Sequence, residues 1–268
     1  MNIIGAQPVY FGECSEENKK MIVAENLFKT YKTRKKSVDA LKGVSFTADA
    51  GGIYGLIGPN GAGKTTALRT LATLLRPDRG SVLVNGLDTI KEARKVRDSL
   101  GFLTSDMKLS GNLSPRELLR FFGLLNHMAE ETITERINVL AEYLDMGEFL
   151  DRAVAKLSTG MKQKASIAVS IVHDPGVIVF DEPTAGLDIL ASKIVNDFLR
   201  DSRRQGKTVV ISTHVLQEAD RLCDTVGILV KGELLENGER EKILQKHGAS
   251  SLDEVFFGLY SGNGSDEK

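Results

Sequence analysis

The chain has 268 residues, with 35 basic and 36 acidic side chains and a formal net charge of −1. That balance lacks the basic excess of a dedicated nucleic-acid binder, and a hydrophobic fraction of 41% separates it from disordered chains. No apolar run approaches the length that crosses a bilayer, and Cys14 and Cys223 are too few for a disulfide framework.

The opening residues, MNIIGAQPVYFGECSEENKK, lack the basic start and long apolar core of a secretory signal. A cytoplasmic protein is expected, with any membrane role supplied by a partner. Residues 1–20 read as an irregular extension. Val44–Phe46 and Ile53–Ile57 are candidate strands. A glycine-rich loop, Gly58–Gly63, leads into a helix whose buried face is Leu68, Leu71, Ala72 and Leu75. Arg76-Pro77-Asp78-Arg79-Gly80 ends that helix, and strand Ser81–Val84 turns at Asn85-Gly86. Residues 107–168 read as almost all helical. Ser114-Pro115-Arg116-Glu117 is a capping box with proline at the first helical position. Thr132 and Glu135 suggest a second capping box, and Ile133, Ile137, Leu140, Ala141 and Leu144 keep helical spacing. Alternation then resumes: strand 177–180, helix 190–204, strand 208–212, helix 215–223 and a hairpin across Lys231-Gly232. Alternating short strands and amphipathic helices predict an α/β domain over residues 21–261, with a helical insert. Residues 262–268 read as a disordered tail.

Gly58-Pro59-Asn60-Gly61-Ala62-Gly63-Lys64-Thr65 matches the phosphate-binding pattern G-x-x-x-x-G-K-[ST], with Thr66 next in the helix. Its glycines let successive N–H groups turn inward around a phosphate, and the helix N-terminus adds positive potential. Lys64 is expected to reach the β- and γ-phosphates of ATP, and Thr65 to ligate Mg²⁺. Val177-Ile-Val-Phe180 is an apolar strand ending in Asp181 and Glu182. Ligand-handling groups belong at the carboxyl ends of such strands. Asp181 is therefore a candidate metal ligand, and Glu182 a candidate base for the attacking water. The four histidines have no metal-ligand spacing and, His214 apart, read mostly as surface imidazoles.

Leu157-Ser158-Thr159-Gly160-Met161-Lys162-Gln163 resembles the signature motif of ABC ATPases. Asp181-Glu182-Pro183-Thr184 and Ala185-Gly186-Leu187-Asp188 resemble the Walker B motif and D-loop of that family. Ser212-Thr213-His214 resembles its switch histidine, and Tyr31 its adenine-stacking aromatic. The resemblance implies a P-loop NTPase (RecA-like) core with an antiparallel β subdomain and an inserted helical subdomain. It implies an ATPase with ATP and Mg²⁺ as ligands. It also implies that Ser158 and Gly160 grip the γ-phosphate of ATP held by a second chain, as a homodimer or a paired ATPase subunit. An integral membrane permease is the implied partner, which would hold the subunit at the cytoplasmic face of the membrane.

Two departures stand out. Thr159 and Met161 replace a common Gly and Gln, and no glutamine follows strand 100–103, so either Ser105 or Asp106 takes its role or the γ-phosphate is sensed differently. The variant signature and Val172-His173-Asp174-Pro175 resemble the ATPase subunits of bacterial sodium-extruding ABC exporters most closely. These features are shared in part with drug and polysaccharide exporters. Leu252–Phe256 resembles the short terminus of that group. A soluble ABC ATPase acting on DNA or ribosomes generally carries coiled coils or two cassettes, and neither is seen, so no nucleic-acid partner is expected.

Overall fold

The computed structural model describes residues 20–32, 37–104 and 106–262. Lys20 apart, the expected extension lies outside these, as do Ser105 and the residues beyond 262. In chain order the strands are β1 (Lys20–Lys32), β2 (Ser37–Asp49), β3 (Ile53–Ile57), β4 (Arg79–Val84), β5 (Leu87–Asp88), β6 (Leu100–Leu103), β7 (Val177–Asp181), β8 (Thr208–Thr213), β9 (Thr225–Val230) and β10 (Glu233–Glu239). The α-helices are α1 (Lys64–Leu71), α2 (Ala93–Ser99), α3 (Pro115–Leu125), α4 (Glu130–Tyr143), α5 (Thr159–Ser170), α6 (Ile189–Arg204), α7 (Leu216–Leu222), α8 (Arg240–His247) and α9 (Leu252–Gly262).

The strands form two sheets. An antiparallel sheet runs β2-β1-β4-β5, and a larger sheet runs β10-β9-β3-β8-β7-β6. In the larger sheet β6, β7, β8, β3 and β9 are parallel, and β10 returns antiparallel to β9. The central strands β3, β7 and β8 are buried along their whole length, as parallel strands covered on both faces should be. Their residues alternate between two cores. Tyr54, Leu56, Val177, Val179 and Val210 pack with α1 and the antiparallel sheet. Ile53, Ile57, Ile178, Phe180, Val209 and Ile211 pack toward α3–α7. At roughly 1.5–3 kcal/mol for each fully buried large apolar side chain, these two layers hold the sheet between them.

Asn85 and Gly86 both have positive φ (50° and 76°), which suits the tight turn joining β4 to β5. The first capping box forms as expected: the Glu117 N–H donates to the Ser114 side chain, and the Ser114 N–H donates to the Glu117 carboxylate. The second does not form. α4 begins at Glu130, capped by Ala129 with no side-chain bond, and Thr132 lies inside the first turn. Glu130 and Glu131 extend the helix toward its N-terminus because carboxylates there complement the dipole. The helix after the glycine loop stops at Leu71, short of the expected Leu75. Thr73 turns to φ 62° and breaks the helical path, leaving Leu75 half-buried. Among the described histidines, His173 is not a surface residue: both ring nitrogens are buried and without a hydrogen-bond partner. It sits in the turn between α5 and β7. Burial pushes its pKa below the ordinary value, the Leu100 backbone opposing and Lys207 and Arg136 adding to the shift.

Candidate nucleotide site

The site lies along the carboxyl edge of the parallel sheet. Ile57 pairs with Thr213 and Asp181 with Ser212, so the ends of β3, β8 and β7 stand side by side. Each end then delivers one motif. β3 opens into the glycine loop. A Cβ on Gly58 would come within 2.0 Å of the Leu229 carbonyl oxygen, so no side chain fits there. Gly63 has φ 109°, and a Cβ on it would meet the Ala40 carbonyl at 2.3 Å. The turn between β9 and β10 buttresses the loop, the Gly232 N–H donating to the Ala62 carbonyl at 2.9 Å.

Lys64 is buried, and its ammonium donates to the carbonyls of Gly58 (2.7 Å) and Pro59 (3.1 Å). It also stands 3.4 Å from Glu182 Oε1. The Thr65 hydroxyl donates to Asp181 Oδ2 at 2.8 Å, and the Ser212 hydroxyl donates to Asp181 Oδ1. Asp181 is completely buried, so these bonds hold its charge in a site shielded from bulk water. Glu182 leaves the strand in the left-handed region, at φ 50°. A non-glycine residue there costs about 1 kcal/mol. The Glu182 N–H donates to the Ser212 carbonyl (3.1 Å) and hydroxyl (3.0 Å), which fixes the kink and turns the carboxylate toward the loop. His214 Nδ1 lies 3.0 Å from Glu182 Oε2. Sequence motifs led to Lys64, Thr65, Asp181, Glu182 and His214; they gave Ser212 no role, although it ties Asp181 to Glu182.

The remaining expected residues fall into two groups. The Tyr31 hydroxyl is 3.5 Å from Thr66 Oγ1, which places the ring at the edge of the loop. Pro59, Asn60 and Gly61 form the loop's outer part, and Gly61 has φ 79°. Ser158 and Gly160 instead belong to the helical layer, outside this hydrogen-bond network. Ser158 caps α5, accepting from the Met161 N–H at 3.3 Å. A Cβ on Gly160 would meet only Leu187 and Ala191, at the ordinary distances of 3.8 and 3.9 Å. The fold of this chain therefore does not require glycine there, although glycine weakens a helix by about 1 kcal/mol relative to alanine.

Gln163 Nε2 donates to the Pro183 carbonyl at 2.9 Å, linking α5 to the segment after β7. Asp188 caps α6, accepting from the Ala191 N–H at 2.8 Å. At the end of β6, Asp106 forms an ion pair with Arg69 of α1 at 2.9 Å and accepts from the Thr104 hydroxyl. The Thr104 bond, then Arg69, holds the Asp106 carboxyl below the usual carboxylate range.

The family model described as "ABC transporter" matches residues 41–185. The ABC transporter ATP-binding protein NatA of Bacillus subtilis (strain 168) is 36% identical over 237 residues, covering 88% of this chain and 96% of the relative. The daunorubicin resistance ATP-binding protein DrrA3 of Streptomyces coeruleorubidus is 36% identical, covering 81% of this chain and 68% of the relative. A solved ATP-binding subunit of an ABC transporter superposes with a TM-score of 0.81 at 28% identity, covering 90% of this chain and 99% of that one. A dimeric ATP-binding cassette in a post-hydrolysis state, bound to ADP and Pi, superposes with a TM-score of 0.75 at 26% identity, covering 82% and 98%. This chain belongs to the ABC transporter family, as an ATP-binding subunit with ATPase activity.

Proposed function

We propose that the subunit powers an exporter. Two copies would close on ATP at the cytoplasmic face of a separate membrane permease, whose cargo is sodium. The observation that carries the catalytic reading is the convergence of Lys64, Asp181, Glu182, Ser212 and His214 on one glycine loop. The donor set suits Mg²⁺: the Thr65 hydroxyl and the Asp181 carboxylate are adjacent hard oxygens, and Mg²⁺ commonly takes one or two protein ligands beside water and phosphate. When bound with the nucleotide, Mg²⁺ would neutralise the charge of the β- and γ-phosphates.

The protein's own groups do the rest. The glycine loop cradles the phosphates with backbone N–H groups. Lys64 spends its ammonium hydrogens on two loop carbonyls and faces Glu182. Phosphate oxygens are stronger acceptors than carbonyls, so Lys64 would turn to them and release Glu182. Glu182 would then accept the proton of the attacking water, and His214 would hold its carboxylate in line. Tyr31 would stack on adenine. Ser158 and Gly160 would complete the site on the opposite copy; the glycine that this chain's own packing does not need supports that role. A permease helix would dock near residues 105–113, where the loop after β6 enters the helical layer. The sodium assignment rests on the resemblance of the signature variant and of Val172–Pro175 to the sodium-extruding group.

Phosphate release tests the chemistry. Glu182→Gln should keep ATP binding and lower turnover by about 10²–10⁴-fold. Turnover near that of the unaltered subunit would overturn the assignment. Reconstitution with the permease in sodium-loaded vesicles tests the cargo. ATP-dependent sodium extrusion that Glu182→Gln abolishes is the expected result. Transport of another solute with no sodium flux would overturn sodium and leave the ATPase reading standing.

A further inference from the structure

Every residue of β8 is buried, and its middle, Val209–Ile211, is the apolar run that a covered parallel strand calls for. Ser212 breaks that run. Its exposure is 0%, and a hydroxyl taken out of water is unfavourable unless it is hydrogen-bonded. A β-branched apolar residue would suit the strand better, so the partners of the hydroxyl explain its presence. Side chains alternate along a strand, which puts Ser212 on the face of Val210 and Asp181 on the face of Val177 and Val179. Both faces look toward α1, and the register sets Ser212 opposite Asp181.

A serine hydroxyl has one proton and two lone pairs. The Ser212 proton goes to Asp181 Oδ1, while Thr65 donates to Oδ2 of the same carboxylate. A lone pair is thereby left facing the Glu182 N–H, which donates to the hydroxyl at 3.0 Å and to the Ser212 carbonyl at 3.1 Å. The next hydroxyl, of Thr213, accepts from the Val215 N–H at 2.9 Å and fixes the turn that carries His214. The end of β8 thus holds both members of the Glu182–His214 pair. The other contacts of Glu182 are less constant. In the proposed function Lys64, 3.4 Å away, turns to phosphate once ATP is bound, and the His214 side chain is half-exposed. With Lys64 gone, the buried bond to Ser212 is what holds Glu182 at φ 50°, a conformation that persists only where its surroundings impose it.

We propose that Ser212 is a positioning residue for ATP hydrolysis. Its hydroxyl, aimed by Asp181, holds Glu182 in the left-handed turn that points the carboxylate at the attacking water. The side chain that would hold the metal and the one that would take the proton are thereby set by a single buried oxygen. The inference rests on the reading of Glu182 as the base.

The test uses the full-length chain. Ser212→Ala deletes the hydroxyl and keeps the carbonyl acceptor. It should lower kcat by about tenfold to a hundredfold, as misplacing a reacting group by about 1 Å does. KM for ATP, and the affinity for a fluorescent ATP analogue with Mg²⁺, should stay within about twofold, because ground-state binding is untouched. Ser212→Thr, which keeps the hydroxyl, should restore turnover. In Glu182→Gln protein, single-turnover rates should show almost no further loss from Ser212→Ala, since residues acting as a unit are not additive. That comparison decides the matter even where threonine is too large for the position. Ser212→Ala turning over like the unaltered subunit, while Glu182→Gln does not, would overturn the role of Ser212 alone. A full further loss in Glu182→Gln, or a matching loss of Mg²⁺-dependent nucleotide affinity, would assign the hydroxyl to Asp181 or to the fold and overturn it too. An active Glu182→Gln would overturn the base reading, and this one with it.

Discussion

Glu182 and Gly160 show at the level of single residues how a site is built against local preference. Glu182 takes a strained backbone so that its carboxylate meets Lys64 and His214. Gly160 gives up helix propensity where a methyl group would have room. The identities of both were legible in the sequence, because short motifs fix residue types at fixed spacing. The kink at Glu182 was not, since it depends on Ser212 from a strand thirty residues away in the chain. His173 was also misread. Its neighbours are Leu100 at the start of β6, Arg136 of α4 and Lys207 before β8, all distant in the chain, which a local pattern does not record. The structure predicts a pH effect there. The folded state lowers the His173 pKa, so the unfolded chain takes up its proton first as pH falls through about 6.5. Stability from this residue is present above that pH and is lost as pH falls toward the folded value. Urea midpoints between pH 7.5 and 5.5 should decline less in His173→Asn than in the unaltered protein, the difference staying under about 1.4 kcal/mol per pH unit, the limit for one proton. Parallel declines would show that His173 titrates as an exposed imidazole.

Among the elements, α1 joins two parts of the machine. Its first turn carries Lys64 and Thr65, and Arg69 one turn later pairs with Asp106 at the end of β6. The missing glutamine and the candidate Asp106 were legible from the sequence; the partner Arg69 was not, because it lies on a different element. The pair is exposed, so its contribution to stability is at most about 1 kcal/mol. Its position is the informative feature: it links the phosphate-binding helix to the loop that enters the helical layer. Asp106→Ala should therefore leave folding and basal hydrolysis nearly unchanged while cutting permease-stimulated hydrolysis and transport strongly. Equal losses in both assays would place Asp106 in the chemistry, and no loss in either would make the loop a connector. The misplaced start of α4 has a simpler cause. Thr132-x-x-Glu135 has the form of a capping box, but Glu130 and Glu131 ahead of it continue the helix.

For the whole molecule, the alternation of strand and helix was enough to predict an α/β core, since parallel strands with covered faces read as apolar runs such as Val177–Phe180. The antiparallel sheet was visible only at Val44–Phe46 and Ser81–Val84. β1 and much of β2 are half-exposed and mix charged with apolar residues, so their period is weak. Ser158 and Gly160 stand outside the hydrogen-bond network of the glycine loop in this chain, so the role proposed for them on a second copy is not visible in one chain's geometry. Among the described residues no helix is long and apolar enough to cross a membrane. In the proposed function, closure of two copies on ATP is the step that drives transport, and the mass of the Glu182→Gln subunit in solution tests it most directly. Measured by light scattering, it should double on adding ATP and Mg²⁺, and Ser158→Arg in the same protein should return it to the monomer by filling the site that receives the opposite γ-phosphate. A monomer with ATP present, or a dimer that persists with Arg at position 158, would contradict the account.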